Sequence, residues 1–305
     1  MAESSSLKKQ NSVIEQVIIK NKYGEKLVGV LYKTSSKEVI ILCHGLASKK
    51  ECPVNLNLTD ALTKEGISVF CFDFSGNGES EGTFEFGNYT KEADDLRSVV
   101  MYFSGRKRVI GGILGHGKGG NSALVYASKY HDVATVVSLS AHYYMDKGIE
   151  ELLGKDYMSR IKEKGYLDFI GDEGTQYRVT EESLLERLGT DMHALCLSIA
   201  PDCRVFSVYG DASALMKDLF EFVKAIPNNK TCIVRDADHN FSNDQSGLVM
   251  MVMHIIQKLR LQKTNITHNF RAIFNFVKLY CSCQSAVYVF SRVIVYSFIH
   301  LNSSV

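Results

Sequence analysis

Apolar positions follow two rhythms along this chain. VIEQVIIK (13–20) and KLVGVLY (26–32) alternate apolar and polar residues around Asn21-Lys22-Tyr23-Gly24. A period of two on either side of a turn predicts an antiparallel hairpin. EVIILCHG (38–45) and ISVFCFDFSG (67–76) are nearly continuous apolar runs, as expected of strands covered on both faces. RVIGGILG (108–115), VATVVSLSA (133–141), CRVFSVYG (203–210) and KTCIVRDADH (230–239) read the same way.

Between these runs the period lengthens to that of a helix. VNLNLTDALTKEG (54–66) and YTKEADDLRSVVMYFSG (89–105) are amphipathic, and each ends in glycine. GNSALVYASKYH (120–131), residues 214–225 and SGLVMMVMHIIQKLRLQ (246–262) complete the helical set. Strands alternating with helices predict the α/β class: one mainly parallel sheet with helices on both faces. The block 142–200 departs from the alternation. It is charged and helical in pattern, with Thr180 placed to cap a helix that starts at Glu181-Glu182. The expectation is a core formed by 1–141 and 201–262, with 142–200 inserted after the sixth strand as a helical cap.

Residues 263–305 differ again. They hold four Lys/Arg and no Asp or Glu, with no clear period. They are expected to form a tail outside the fold. Arg292 interrupts the apolar stretch from Leu279 to Ile299, so a membrane helix over 279–299 is the weaker reading and no membrane partner is expected.

Charge and cysteine content narrow the function. The formal net charge is +1, and no basic stripe interleaved with aromatics is present, which argues against a nucleic-acid partner. MAESSSLKKQNS has no apolar run of the kind a secretory signal needs. None of the eight cysteines forms a C-x-x-C pair, and several sit in strand-like runs as small buried hydrophobes. A cytoplasmic protein without metal or cofactor is expected.

The chemistry centres on GHGKGG, 115–120, between a strand-like run and a helix-like one. Strand, G-x-S-x-G and helix together make a nucleophile elbow, in which a sharp turn lifts a serine hydroxyl above the sheet. Here the central position is Gly117. Gly115-x-Gly117-x-Gly119-Gly120 is not a dinucleotide fingerprint, because it begins too late and no acidic residue follows at a useful strand end. DFSGNGES (73–80) likewise lacks the Lys-Ser/Thr of a phosphate loop.

Five segments occur in a telling order: HGLAS (44–48), DFSGNGES (73–80), GHGKGGN (115–121), RVTEESL (178–184) and DADHNF (236–241). With them the chain resembles the plant α/β-hydrolase family of esterase, lipase and serine-aminopeptidase-like proteins. The resemblance implies an α/β-hydrolase fold over about residues 13–260 and a small apolar ester or ligand as the partner. It places the nucleophile at Gly117, the elbow at Gly115, His116 and Gly119, and the general base at His239. The two oxyanion donors fall on the backbone N–H groups of Leu46 and Lys118. The acid falls three residues past Gly210, on Ser213, while Asp211 lies two residues early and is left open as a substitute. Two of the three catalytic positions thus depart from the family pattern. Glycine offers no group to attack with, so ester hydrolysis is expected to be absent or severely impaired. The alternative is a receptor-like protein that keeps the pocket and holds a ligand without cleaving it.

Overall fold

The computed structural model describes residues 12–171, 174–243 and 245–280, with side chains through Gln262. Strands β1 (Val13–Lys20) and β2 (Lys26–Lys33) form the antiparallel hairpin, with Val17 opposite Gly29. Then come β3 (Glu38–Cys43), helix α1 (Pro53–Lys64), β4 (Ser68–Phe72), α2 (Tyr89–Gly105), β5 (Val109–His116), α3 (Lys118–Tyr130) and β6 (Thr135–Leu139). An inserted block follows: α4 (Ile149–Leu153), α5 (Tyr157–Lys164), β7 (Tyr166–Ile170), β8 (Gln176–Thr180), α6 (Glu181–Gly189) and α7 (Met192–Leu197). The chain then returns through β9 (Arg204–Gly210), α8 (Met216–Ala225), β10 (Asn229–Val234) and α9 (Gln245–Tyr280).

Eight strands form one sheet in the order β1-β2-β4-β3-β5-β6-β9-β10. Every pairing from β4 through β10 is parallel, and only β2 runs against the rest. A parallel pair needs a crossover, and α1, α2, α3 and α8 lie in sequence where those crossovers fall. The continuous apolar runs have their explanation here. Val39, Ile40, Ile41 and Leu42 of β3 are all at most 1% exposed, so both faces of the strand are covered. Burying each such side chain contributes about 1.5–3 kcal/mol before entropy is counted.

The insertion is not purely helical. Tyr166–Ile170 and Gln176–Thr180 pair antiparallel as a separate two-stranded sheet, with Leu167 opposite Val179. YLDFI and QYRVT alternate, and their inward positions Leu167, Phe169 and Val179 join Phe86, Ile149, Ile161 and Leu184 in a small core of their own. Five residues is too short a run to stand out in a charged sequence. Thr180 ends this hairpin and caps α6, its hydroxyl accepting from the Ser183 N–H at 3.2 Å. The chain separates into two compact units, Met1–Met253 and His254–Val305. The last helix runs to Tyr280, past the expected end at 262, and 263–280 holds no glycine or proline to stop it. The remainder of the expected tail, 281–305, lies outside the described residues. Among the described residues no helix is long and apolar enough to cross a membrane.

One buried ion pair ties the loop after β3 to the loop after β4. Asp73, fully buried, accepts from the Lys50 backbone N–H at 2.7 Å and from Lys50 Nζ at 2.8 Å. Its second oxygen also accepts from the Glu79 N–H at 3.0 Å. The DFSGNGES turn is therefore a clamp on the loop that carries Leu46. Lys50 Nζ keeps Glu79 at 2.5 Å and Glu51 at 3.1 Å when Asp73 is removed, so the cost is that of buried N–H groups left without their acceptor, about 1–3 kcal/mol. Asp73→Ala is expected to lose that much in urea denaturation. A loss below about 1 kcal/mol, typical of exposed pairs, would contradict the clamp.

Candidate active site

The strand-to-helix turn at 115–119 has the geometry of a nucleophile elbow. Gly117 lies between β5 and α3 at φ 51° and ψ −116°, a conformation side chains adopt only under strain. Its N–H donates to Leu139 O at 2.8 Å, and its carbonyl accepts the first helical bond, from the Asn121 N–H, at 3.1 Å. A Cβ built at 117 would stand 3.6 Å from His239 Nε2, an ordinary contact. A serine here would thus have room, and its side chain would leave the backbone toward the imidazole. Gly119 is needed for a different reason. A Cβ there would fall 2.3 Å from His44 O, so the helix start presses on the end of β3.

His239 sits on the loop after β10, at the carboxyl edge of the sheet. His116 Nε2 lies 3.0 Å from the His239 carbonyl and holds that loop against the elbow. His239 Nδ1 is buried and has no hydrogen-bond partner. In a triad that nitrogen donates to a carboxylate, which fixes the tautomer and stabilises the imidazolium. Ser213 lines a second cavity together with His239, but its hydroxyl accepts from the Leu215 N–H at 3.2 Å. Asp211 is exposed, and its backbone N–H donates to Val234 O at 3.1 Å. The buried carboxylate in that second cavity, Asp218, is engaged with the N–H groups of Tyr143 and Tyr144 at 2.6 and 3.2 Å. The structure brings Gly117 and His239 together, and among the described residues no carboxylate hydrogen bonds His239 Nδ1.

Leu46 and Lys118 border the same cavity of about 510 Å³ as Gly117 and His239. Lys118 is the first residue of α3, so its N–H has no acceptor within the helix. That N–H at the positive end of a helix dipole suits an oxyanion. The Lys118 side chain turns away into the fold, where Nζ meets Glu92 Oε1 and Glu85 O, each at 2.6 Å. The hydroxyl of Ser122, the next along α3, has Glu92 and the Lys118 carbonyl as acceptors for its one proton. Neither Ser122 nor Ser140 lines the cavity.

Two residues of this site went unread in the sequence. His142 follows β6 and lines the cavity with its Nδ1 buried and unpartnered. Its position just past a strand end was the available signal. Arg187 of α6 also lines the cavity, at 3% exposure. Its signal was the spacing Leu184-Arg187-Leu188, which puts a cation on the apolar stripe of a helix.

A model of the serine aminopeptidase S33 family matches residues 34–193, just over half of the chain. The chain belongs to that family. Solved structures agree on the fold. This S33-family chain superposes on the esterase Est1E of Butyrivibrio proteoclasticus, solved with ferulic acid bound, with a TM-score of 0.65 and 19% identity; 82% of this chain and 99% of that one are covered. For the Pyrococcus furiosus esterase Pf2001 the TM-score is 0.63 at 20% identity, covering 85% and 96%. For the α/β-hydrolase GrgF of Penicillium sp. sh18 it is 0.65 at 17%, covering 81% and 98%. No curated protein matches the chain. The expected α/β-hydrolase fold is thus the fold of this S33-family protein.

Burial governs the titration of His239. It pushes the imidazole down to about 4, helped by neighbouring His116 and opposed only weakly by Asp238. A group that takes up its proton more readily when unfolded loses stability as pH falls below the unfolded value, here from about 6.5. His44, His116 and His142 are lowered by burial too, so all four act in the same direction. In ¹H–¹⁵N spectra the His239 ring is expected to stay neutral from pH 8 down to about 5. Ser213→Asp should raise its midpoint. A His239 midpoint near 6.5 in the unaltered protein would contradict the dry, acid-free setting.

Proposed function

We propose that this chain is an S33-family hydrolase relative that does not hydrolyse esters by serine chemistry and that its cavity holds a small molecule instead. The observation that carries this is at residue 117. The turn, the glycines and the histidine of a serine hydrolase are in place, and the one atom that would attack is missing. No hydroxyl, thiol or carboxylate among the described residues hydrogen bonds a ring nitrogen of His239. In the serine-protease template, losing the nucleophile costs about 10⁶ in kcat, leaving about 10³–10⁴ over water from binding and the oxyanion hole.

The cavity supports the second half of the proposal. It keeps a volume suited to a small ligand, about 510 Å³, and apolar walls from Leu46, Val54, Phe86 and Leu152. Gly148, Leu152 and Arg187 bring the inserted block to the same cavity as the elbow, so the insertion shapes what can enter. Five buried free thiols, at Cys43, Cys52, Cys71, Cys196 and Cys203, support a reducing, cytoplasmic setting. The five motifs support the plant branch of the family.

Restoring the serine tests the assignment. Gly117→Ser fits sterically but adds backbone strain of about 1–3 kcal/mol. Its p-nitrophenyl ester turnover is expected to be weak, because His239 lacks a carboxylate, a loss of about 10⁴ in kcat in the serine-protease template. Adding Ser213→Asp should raise turnover well above the single variant. Full esterase rates from Gly117→Ser alone would show that another carboxylate serves His239. Good hydrolysis by the unaltered protein, abolished by His239→Ala, would overturn the proposal.

A further inference from the structure

Among the described residues, Arg187 is a buried cation without a counter-ion. Its guanidinium has five N–H donors. Nε donates to Met145 O at 2.9 Å, Nη1 to Tyr89 Oη at 3.0 Å and Nη2 to Lys147 O at 3.2 Å. All three acceptors are neutral, and burial pushes the Tyr89 hydroxyl up to about 12, so it keeps its proton. The Phe86 ring lies 4.9 Å away. Among the described residues no carboxylate pairs with Arg187. A buried charge without a partner is costly, and proteins keep one chiefly where something else will meet it.

That something has access. Arg187 lines the cavity of Gly117 and His239, where no described Asp or Glu is present. The other cation there, Lys118, is already neutralised from behind by Glu92 at 2.6 Å. The cavity is therefore positive at one point and apolar over Leu46, Val54, Phe86 and Leu152.

We propose that the cavity takes a small amphiphile bearing a carboxylate, with Arg187 as its counter-ion. The two N–H donors that Arg187 leaves unused match a carboxylate's paired oxygens, and a bidentate pair in a desolvated site is among the strongest hydrogen-bonded contacts. The apolar wall takes the ligand's body. This deepens, and rests on, the reading of the cavity as a holding site.

Calorimetry on the full chain tests it with hexanoate, decanoate and 3-phenylpropionate, each against its primary amide. At least one acid is expected to bind about tenfold or more tightly than its amide, the amide lacking the charge Arg187 would meet. Arg187→Met should bring acid and amide together, and Arg187→Lys should keep part of the preference because it keeps the charge but not the fork. Amides binding the unaltered protein as well as acids would overturn the anionic head and leave the holding site standing. No binding by any of the six would overturn both. Arg187 also supports the backbone at Met145 and Lys147, so folding of the Met variant is checked by circular dichroism. If that variant is unfolded, Leu152→Glu decides. Its new carboxylate lines the same cavity, so acid binding is expected to weaken about tenfold more than amide binding, which loses only the apolar contact. An equal effect on acids and amides in Leu152→Glu would overturn the proposal.

Discussion

The first turn of α3 presses against the end of β3, and the geometry of the site follows from that contact. A Cβ at Gly119 would reach 2.3 Å from His44 O and 2.7 Å from Cys43 O, and one at Gly115 would reach 2.2 Å from Gly119 O. Only bare backbone passes so closely. This approach puts the start of α3 beside the loop carrying Leu46, so two candidate oxyanion donors come from neighbouring strand ends. It also forces the chain at 117 into a tight reversal with positive φ. The Asp73–Lys50 pair then fixes the other end of the Leu46 loop.

None of these supports uses a hydroxyl at 117. The elbow is held by glycine contacts, by the Gly117 N–H on Leu139 O and by the first hydrogen bond of α3. A serine there would add backbone strain, and glycine relaxes the turn. The second gap fits the same picture. The turn at Ser213 closes on itself through the Leu215 N–H, so β9 and α8 remain joined without an acid.

Much of this was legible in the sequence. Continuous apolar runs marked the central strands because those strands are covered on both faces, and a period of two marked the hairpin because its edge strand is covered on one. The elbow could be read from glycine spacing, since close backbone approach leaves few other choices. His239 could be placed by order along the chain, because β10 carries it to the same edge of the sheet. What stayed hidden depends on contacts distant in sequence. The hairpin of β7 and β8 has five-residue strands that become apolar-faced only against Phe86 and Ile149. Glu92 could not be recognised as the partner of Lys118, nor Arg187 as a cation without one, because both facts belong to packing between α2, α3 and the insertion. Gly105 shows a smaller version of this limit. It reads as a helix stop, but it is the last helical residue of α2, and Lys107 takes the positive φ beyond it.

The central claim is that a complete elbow lacks only its attacking atom. Intact-protein mass spectrometry after treatment with an excess of an alkyl fluorophosphonate tests it most directly, because that reagent reports an activated serine without requiring turnover. The unaltered protein is expected to gain no adduct, and Gly117→Ser is expected to gain one, located at residue 117. A stoichiometric adduct on any serine of the unaltered protein, lost in His239→Ala, would contradict the account.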